Sequence, residues 1–280
     1  MDVQGTGGLS FIAGSKTSET ALNKTNKQLG KVLDQLATAR RINAASDDAA
    51  GAGIAEQLTS QVRGFKQASQ NISDASAALD IAQGAGGEIA DLLHRQQQLA
   101  VQAASDGTTD DERTSLNTEY QAFSDEISRI AEVTGYNQQS VANGTRLAAG
   151  SSQVQVGPDD GNTIPLPPVN FALIGKTQQA TSIGTVSEAQ AAVGTIAQAL
   201  ATVNQQISDL GAAIDQLGFA GDNLSTAITN SQAAESVDRD EDLATGLADL
   251  TRQQIMQEGA MRTFSRYNEI TQNHILGLLQ

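Results

Sequence analysis

The chain has 280 residues, a formal charge of −15, only 3% aromatic residues, and neither Trp nor Cys. A chain of this length can bury a core as one large domain or two modest ones. With Ala, Gln, Ser, Thr and Gly dominant, however, it lacks the large side chains of a compact enzyme and suits long helices packed along narrow seams. The acidic balance, without a basic patch and interleaved aromatics, excludes a nucleic-acid binder, and the missing Cys excludes a disulfide framework, a thiolate metal site and a thiol nucleophile.

Charge is unevenly placed. Lys16, Lys24, Lys27, Lys31, Arg40 and Arg41 make the first arm basic, whereas no Lys or Arg falls between Lys176 and Arg239, so the two regions are expected to face different surroundings. Met1–Gly14 carries no Lys or Arg ahead of a short apolar stretch and reads poorly as a secretory signal. No run approaches the roughly 18 apolar residues of a membrane helix. An exported chain of this kind would use a route that cleaves nothing.

The first arm places Leu22, Leu29 and Leu36 seven residues apart, with Val32 and Ala39 at the alternate position, which predicts a helix with one apolar stripe. A break follows at Ser46-Asp47-Asp48, whose side chains suit a helix N-cap. The spacing resumes at Leu58, Phe65, Ile72 and Leu79, predicting a second long helix over which Gly51 and Gly53 are expected to permit close backbone packing. Asp106-Gly107 predicts a left-handed stop, and Thr109-Asp110-Asp111-Glu112 a capping box. The helix it opens runs through Leu116, Phe123, Ile127 and Ile130 to Gly135.

All four prolines, Pro158, Pro165, Pro167 and Pro168, fall in one window. An interior proline costs a helix about 3 kcal/mol or more, so this window separates two helix-permissive arms. It predicts a hairpin: strands at Gln153–Val156 and Thr163–Leu166 around Pro158-Asp159-Asp160-Gly161 turn chemistry.

Beyond it, Val193, Ile196, Leu200, Val203, Ile207, Leu210, Ile214, Leu217, Gly221, Leu224, Ile228 and Ser231 alternate steps of three and four, a sustained heptad seam. Asp238-Arg239-Asp240-Glu241 reads as a second capping signature ahead of a final helix carrying Leu243, Leu247, Leu250, Met261, Phe264, Ile275 and Leu278. The predicted fold is mainly α: a long antiparallel helical coiled-coil bundle from paired N- and C-terminal arms, with a small central β-hairpin region.

No catalytic constellation stands out. Asp47 and Asp48 are sequence neighbours that point to different faces, and capping accounts for both. His94 and His274 are the only histidines and form no His-Glu-x-x-His arrangement. Gly84-Ala85-Gly86-Gly87 and Gly5-Thr6-Gly7-Gly8 lack the lysine and preceding strand of a phosphate-binding loop. The expectation is a structural protein, not an enzyme, with no catalytic, metal or cofactor residues.

Assembly is expected at the ends. Two terminal helices alone bury one narrow stripe, and short isolated helices are marginal in water. Their remaining apolar groups, Leu33 and Ile270 among them, need neighbours from other molecules, so the ends are expected to order on assembly. Subunit-packing positions are expected at Leu22, Leu29, Val32, Leu36, Leu247, Leu250, Met261, Phe264, Ile275 and Leu278.

Several runs carry a family resemblance. Arg41-Ile42-Asn43 followed by Ala45-Ser46-Asp47-Asp48-Ala49-Ala50-Gly51-Ala52-Gly53-Ile54-Ala55, then Gln67-Ala68-Ser69-Gln70-Asn71-Ile72-Ser73-Asp74 and Leu99-Ala100-Val101-Gln102-Ala103-Ala104, resemble the N-terminal part of bacterial flagellin. Asp240-Glu241-Asp242-Leu243-Ala244-Thr245, Gln254-Ile255-Met256-Gln257 and Ile275-Leu276-Gly277-Leu278-Leu279 resemble its C-terminal part.

The resemblance implies a short flagellin without outer variable domains, secreted without a cleaved signal and polymerised into the extracellular flagellar filament for swimming. It divides the chain into an N-terminal inner-core segment over 1–45, an outer-shell domain from 46–182 and 183–241 with its hairpin region at about 140–175, and a C-terminal inner-core segment over 242–280. Implied partners are further copies of the chain, an export chaperone covering Leu243–Leu279, the filament cap and the hook-associated proteins. Gly5, Gly7 and Gly8 depart from the family's regular start, which leaves the first 14 residues without a regular expectation. The resemblance also implies contact with a vertebrate Toll-like receptor at Arg95, Leu99 and Glu119, with Arg95 as a charged anchor and Leu99 as an apolar plug. Two alternatives remain: a hook–filament junction protein and a secreted coiled-coil adhesin or effector.

Overall fold

A computed structural model describes residues 4–148 and 152–278, and for residues 4–15, 271 and 274–278 it describes the backbone alone. In chain order the elements are α1 (Gln4–Thr38), α2 (Ala49–Ala103), α3 (Asp110–Val133), β1 (Gly135–Tyr136), β2 (Gln139–Ser140), β3 (Gln153–Gln155), β4 (Thr163–Pro165), α4 (Phe171–Gln179), α5 (Val186–Arg239) and α6 (Leu243–Leu278). They divide into two compact units, a terminal unit of residues 4–60 and 231–278 and a central unit of residues 61–230.

In the central unit, α2 and α5 contribute their buried residues to one core. A β-carbon placed on Gly86 would stand 2.9 Å from both Ile207 and Phe171, one on Gly211 would reach Gln83, and one on Gly221 would reach Ile72. Positions climb along α2 as they fall along α5, so the two helices run antiparallel. The heptad seam is as the spacing predicts: Ile196, Leu200, Val203, Leu210, Leu217 and Leu224 are buried and the residues between them on the seam are half-buried. Narrow Ala- and Gly-bearing faces let two long helices meet where aromatic side chains would hold them apart.

α3 lies antiparallel to the short α4. Tyr120 Oη donates to Gln178 Oε1 at 2.7 Å, Gln121 Nε2 to the Thr181 carbonyl at 2.6 Å, and Gln179 Nε2 to Asp125 at 2.9 Å. Gly175 sits directly on Ser128, leaving no room for a side chain. The Thr109–Glu112 capping box opens α3 as predicted. The hairpin expected in the proline window is present, with Gln153 opposite Pro165, Val154 opposite Ile164 and Gln155 opposite Thr163, and with Gly161 at φ +82° in its turn.

Several features depart from the expectations. β1 and β2 form a second hairpin through Asn137 and Gln138, at φ +50° and +63°; a Gln at positive φ is a weak turn signal, because only the tertiary context holds it there. α4 and the Thr185–Glu188 capping box at the start of α5 were not legible as elements. The left-handed stop at Gly107 is corrected: α2 ends at Ala103 and Gly107 has no positive φ. The chain turns through Thr108 instead, whose hydroxyl donates to the Gln102 carbonyl at 2.9 Å.

In the terminal unit, α1 is helical from Gln4, so the glycine-bearing start is regular, with residues 1–3 outside the described ones. Glycine costs a helix about 1 kcal/mol per residue but does not forbid it. Ala39 does not continue the α1 seam. It takes φ +53°, and the chain turns there into an antiparallel bridge between Arg40 and Asp240. Arg41 N–H donates to the Arg239 carbonyl at 2.8 Å, Glu241 N–H to the Ala39 carbonyl at 3.1 Å, and Arg41 Nη2 to the Asp238 carbonyl at 2.7 Å. These bonds use backbone groups that the ends of α1 and α5 would leave unpaired.

Capping of α2 falls to Asp48, whose carboxylate accepts from Gly51 N–H at 3.0 Å. The cap of α6 is Asp242, accepting from Ala244 N–H at 2.9 Å, not the preceding Asp238–Glu241 run. Close packing is required at Gly51, where a β-carbon would stand 2.8 Å from Ile42, but not at Gly53, which faces open space.

Candidate functional site

The α1–α6 pair has its own heptad seam. On α1 a row of partly covered positions runs through Ser18, Leu22, Thr25, Leu29, Val32 and Leu36, and on α6 through Leu250, Gln253, Gln257, Ala260, Phe264 and Tyr267, with Gln35 and Asp249 partly covered beside these rows. Both sets alternate steps of three and four. Two contacts fix the direction: a β-carbon on Gly246 would stand 2.8 Å from Leu36, and Gln257 Nε2 donates to Asn26 Oδ1 at 2.8 Å. The helices are antiparallel.

This seam is shallow. Gly246 is the one buried residue of α1 and α6 among those whose burial is described, whereas Leu79, Leu93, Ile196, Leu210 and Leu217 of the central core are sealed from solvent. Ser18, Thr25, Gln253 and Gln257 put polar groups where apolar ones would bury most area, and Gln253 Oε1 is covered without a hydrogen-bond partner. Polar seam positions set register at a cost in stability.

Around the seam, α6 is apolar on further sides. Leu247, Ile255, Met256, Met261 and Ile270 are 56%, 66%, 42%, 47% and 53% exposed, and Leu33 of α1 is exposed as well. A helix apolar on more than one face is one that packs on more than one neighbour.

The residues expected to pack between subunits therefore separate into two groups. Leu22, Leu29, Val32, Leu36, Leu250 and Phe264 lie half-buried in the seam within the chain, while Leu247 and Met261 stand open to solvent. The side chains of Ile275 and Leu278 lie outside the described residues. Ile255 and Met256 belong with the open group although periodicity alone did not mark them, since each sits off the row that spacing picks out. Their signal was local: an apolar pair between Gln254 and Gln257, with no charge to solvate it.

Charge is arranged to hold the turn between α1 and α2. Asp47 accepts from Asn43 N–H at 3.2 Å and Ala44 N–H at 3.1 Å, and Lys31 Nζ lies 3.0 Å from its other oxygen. The lysine first, then the two backbone donors, hold the carboxyl below its usual range. This is structural work, and it accounts for the aspartate pair without chemistry.

On α2 and α3, Arg95 and Glu119 approach to 4.0 Å with both side chains about half exposed, and Arg95 also donates to Gln98 Oε1 at 2.8 Å. Leu99 is different: it is 7% exposed and belongs to the core. The expected plug is thus corrected, because its helical position faces inward. The neighbouring Gln96 is fully buried and donates to the Tyr120 carbonyl and to Ser124 Oγ. Burial pushes the Tyr120 phenol up to about 12, so it remains a hydrogen-bond donor across the physiological range.

Among the described residues no group of His, Asp and Glu is placed to hold a metal ion, and no helix is long and apolar enough to cross a membrane.

Comparison with known proteins bears on the same two arms. The family profile described as the bacterial flagellin N-terminal helical region matches residues 12–146, and that of the bacterial flagellin C-terminal helical region matches residues 193–279. The chain is 34% identical to a flagellin of Halalkalibacterium halodurans over 85% of this chain and 88% of that one. It is 31% identical to a flagellar filament 31.3 kDa core protein of Treponema maltophilum over 94% of this chain and 96% of that one. A putative flagellar hook-associated protein from Vibrio parahaemolyticus shares the fold, with a TM-score of 0.56 over 69% of this chain and 99% of that one at 14% identity.

Proposed function

The chain belongs to the bacterial flagellin family and is a structural subunit of the extracellular flagellar filament, and from that premise we propose how it assembles and with what. The observation that carries the proposal is the contrast between a sealed central core and a terminal helix pair whose large apolar residues are partly covered in the seam or open to solvent outside it. Buried apolar area contributes roughly 25 cal/mol per Å². The faces bearing Leu33, Leu247, Ile255, Met261 and Ile270 gain that contribution when further copies of the chain lie against them.

In this reading residues 1–45 and 242–280 form the inner core of the filament, and 46–182 with 183–241 form its outer shell. Leu22, Leu29, Val32, Leu36, Leu250 and Phe264 hold the pair within each chain, and the open residues of α6 join chains. The same open face would need cover before assembly, which suits an export chaperone. The filament cap and hook-associated proteins are the further partners proposed. The role proposed for the subunit is structural and not enzymatic.

The test is seeded growth. Heat-dissociated subunits mixed with filament fragments are expected to sediment as polymer and to appear as filaments by electron microscopy. Subunits that stay monomeric on seeds would overturn the assembly reading.

A receptor contact is retained in narrowed form. We propose that the exposed Arg95–Glu119 pair, and not Leu99, faces a Toll-like receptor. An R95A/E119A variant is expected to lose receptor-reporter signalling while still polymerising; unchanged signalling would refute it.

A further inference from the structure

The chain contains three methionines and no cysteine. One methionine is residue 1; the other two, Met256 and Met261, lie five residues apart on α6, 42% and 47% exposed. They flank the seam row from opposite sides, Met256 immediately before Gln257 and Met261 immediately after Ala260. Ile255, next to Met256 in the sequence, is also open to solvent. Every internal sulfur of the protein therefore lies among the open residues of α6 assigned above to joining one chain to the next.

We propose that Met256 and Met261 are peroxide-modification sites through which oxidation of the free subunit reversibly blocks its polymerisation. The inference rests on the assembly reading of α6. In each event the thioether sulfur attacks the terminal oxygen of hydrogen peroxide. An S–O bond forms, the O–O bond breaks, the sulfur is oxidised by two electrons to the sulfoxide, and the peroxide is reduced to water. The product replaces a flexible apolar side chain by a polar, chiral one. Exposed in the monomer, the sulfoxide oxygen is hydrated and the fold is undisturbed. Buried between subunits it loses that water, and apolar groups such as the open Ile255 offer it no hydrogen bond in exchange. The penalty falls on the polymer and not on the monomer, so by mass action the critical subunit concentration rises.

The same geometry makes the site self-protecting. Once a subunit is seated, its thioethers are covered and react slowly. Oxidation then selects against unassembled subunits and spares the finished filament.

The experiment uses the full-length chain, with hydrogen peroxide as the probe, and reads sulfoxide by mass spectrometry and growth by sedimentation on filament seeds. Untreated subunits must extend the seeds; failure at this step overturns the assembly reading and this inference with it. Peroxide is expected to add one oxygen at each of Met256 and Met261 in the monomer and to raise the critical concentration about tenfold or more, with circular dichroism of the monomer unchanged. Methionine sulfoxide reductases supplied with a dithiol reductant, which is oxidised to the disulfide as the sulfoxide returns to the thioether and water is released, should restore growth. An M256L/M261L variant should grow equally well before and after peroxide, and M256Q/M261Q should resemble the oxidised chain. Oxidised wild-type chain that grows at an unchanged critical concentration would overturn the proposal. So would equal inhibition of M256L/M261L by peroxide, or equal oxidation rates in monomer and filament.

Discussion

Gln257 donates a hydrogen bond from Nε2 to Oδ1 of Asn26 at 2.8 Å, joining α6 to α1 across a seam whose large apolar residues are only partly covered. A polar pair at this place fixes the relative register of the helices while withholding the area a leucine would bury. The pair is held in position without being made strong, which suits helices that bury more area only when a neighbour arrives.

A Q253L/Q257L double variant should therefore raise the helicity of the free subunit, because two polar seam positions become apolar. The gain is about 1–3 kcal/mol in the α1–α6 pair. Far-ultraviolet circular dichroism and hydrogen exchange over α6 measure it. Unchanged exchange protection would count against the seam assigned here.

Leu210 lies sealed in the α2–α5 core. Leu210→Asp places a carboxylate there with no partner, a penalty of several kcal/mol. The central unit should lose much of its helical signal and melt at a markedly lower temperature.

Two kinds of glycine in the long helices respond oppositely. Gly86→Ala drives a β-carbon to within 2.9 Å of Ile207 and Phe171 and should destabilise by about 1–3 kcal/mol. Gly194→Ala and Gly218→Ala meet open space on α5 and should stabilise by up to about 1 kcal/mol each. Denaturant melts of the three variants distinguish the cases.

The Asp47 carboxyl has a folded pKa below its ordinary value of 3.8. A depressed pKa means that the unfolded chain binds the proton more readily, so the stability Asp47 contributes is fully present above that ordinary value. It is lost as pH falls through the lower, folded value. Asp47→Asn should flatten this acid limb of the terminal unit's melting curve and leave the limb above neutrality unchanged.

Removing Leu243–Gln280 takes away the partner of α1 together with the open apolar face. The expected product keeps a folded central unit by circular dichroism and fails to extend filament seeds. Efficient growth of this truncation would refute the role given to α6.

Much of the fold was legible because helix periodicity is a local property. The Val193–Ser231 heptad, the Thr109 capping box and the Gly161 hairpin each need only a few neighbouring residues to declare themselves. What escaped was set from a distance. Gln138 holds a positive φ that its side chain does not favour, and Ala39 leaves the α1 seam because its carbonyl is taken by Glu241, which is far away in sequence.

By itself, then, the sequence determined that two proline-free arms form long helices with apolar rows and that an insert of turns separates them. Spacing along a helix dictates which residues share a row. It does not dictate what covers the row. The tertiary structure decided that Leu99 faces a core while Arg95 faces solvent. It decided that Leu250 and Phe264 serve the chain's own seam, and that Leu247, Ile255, Met256 and Met261 are left open. Burial depends on where the second helix lies, and that is settled by contacts between residues hundreds of positions apart.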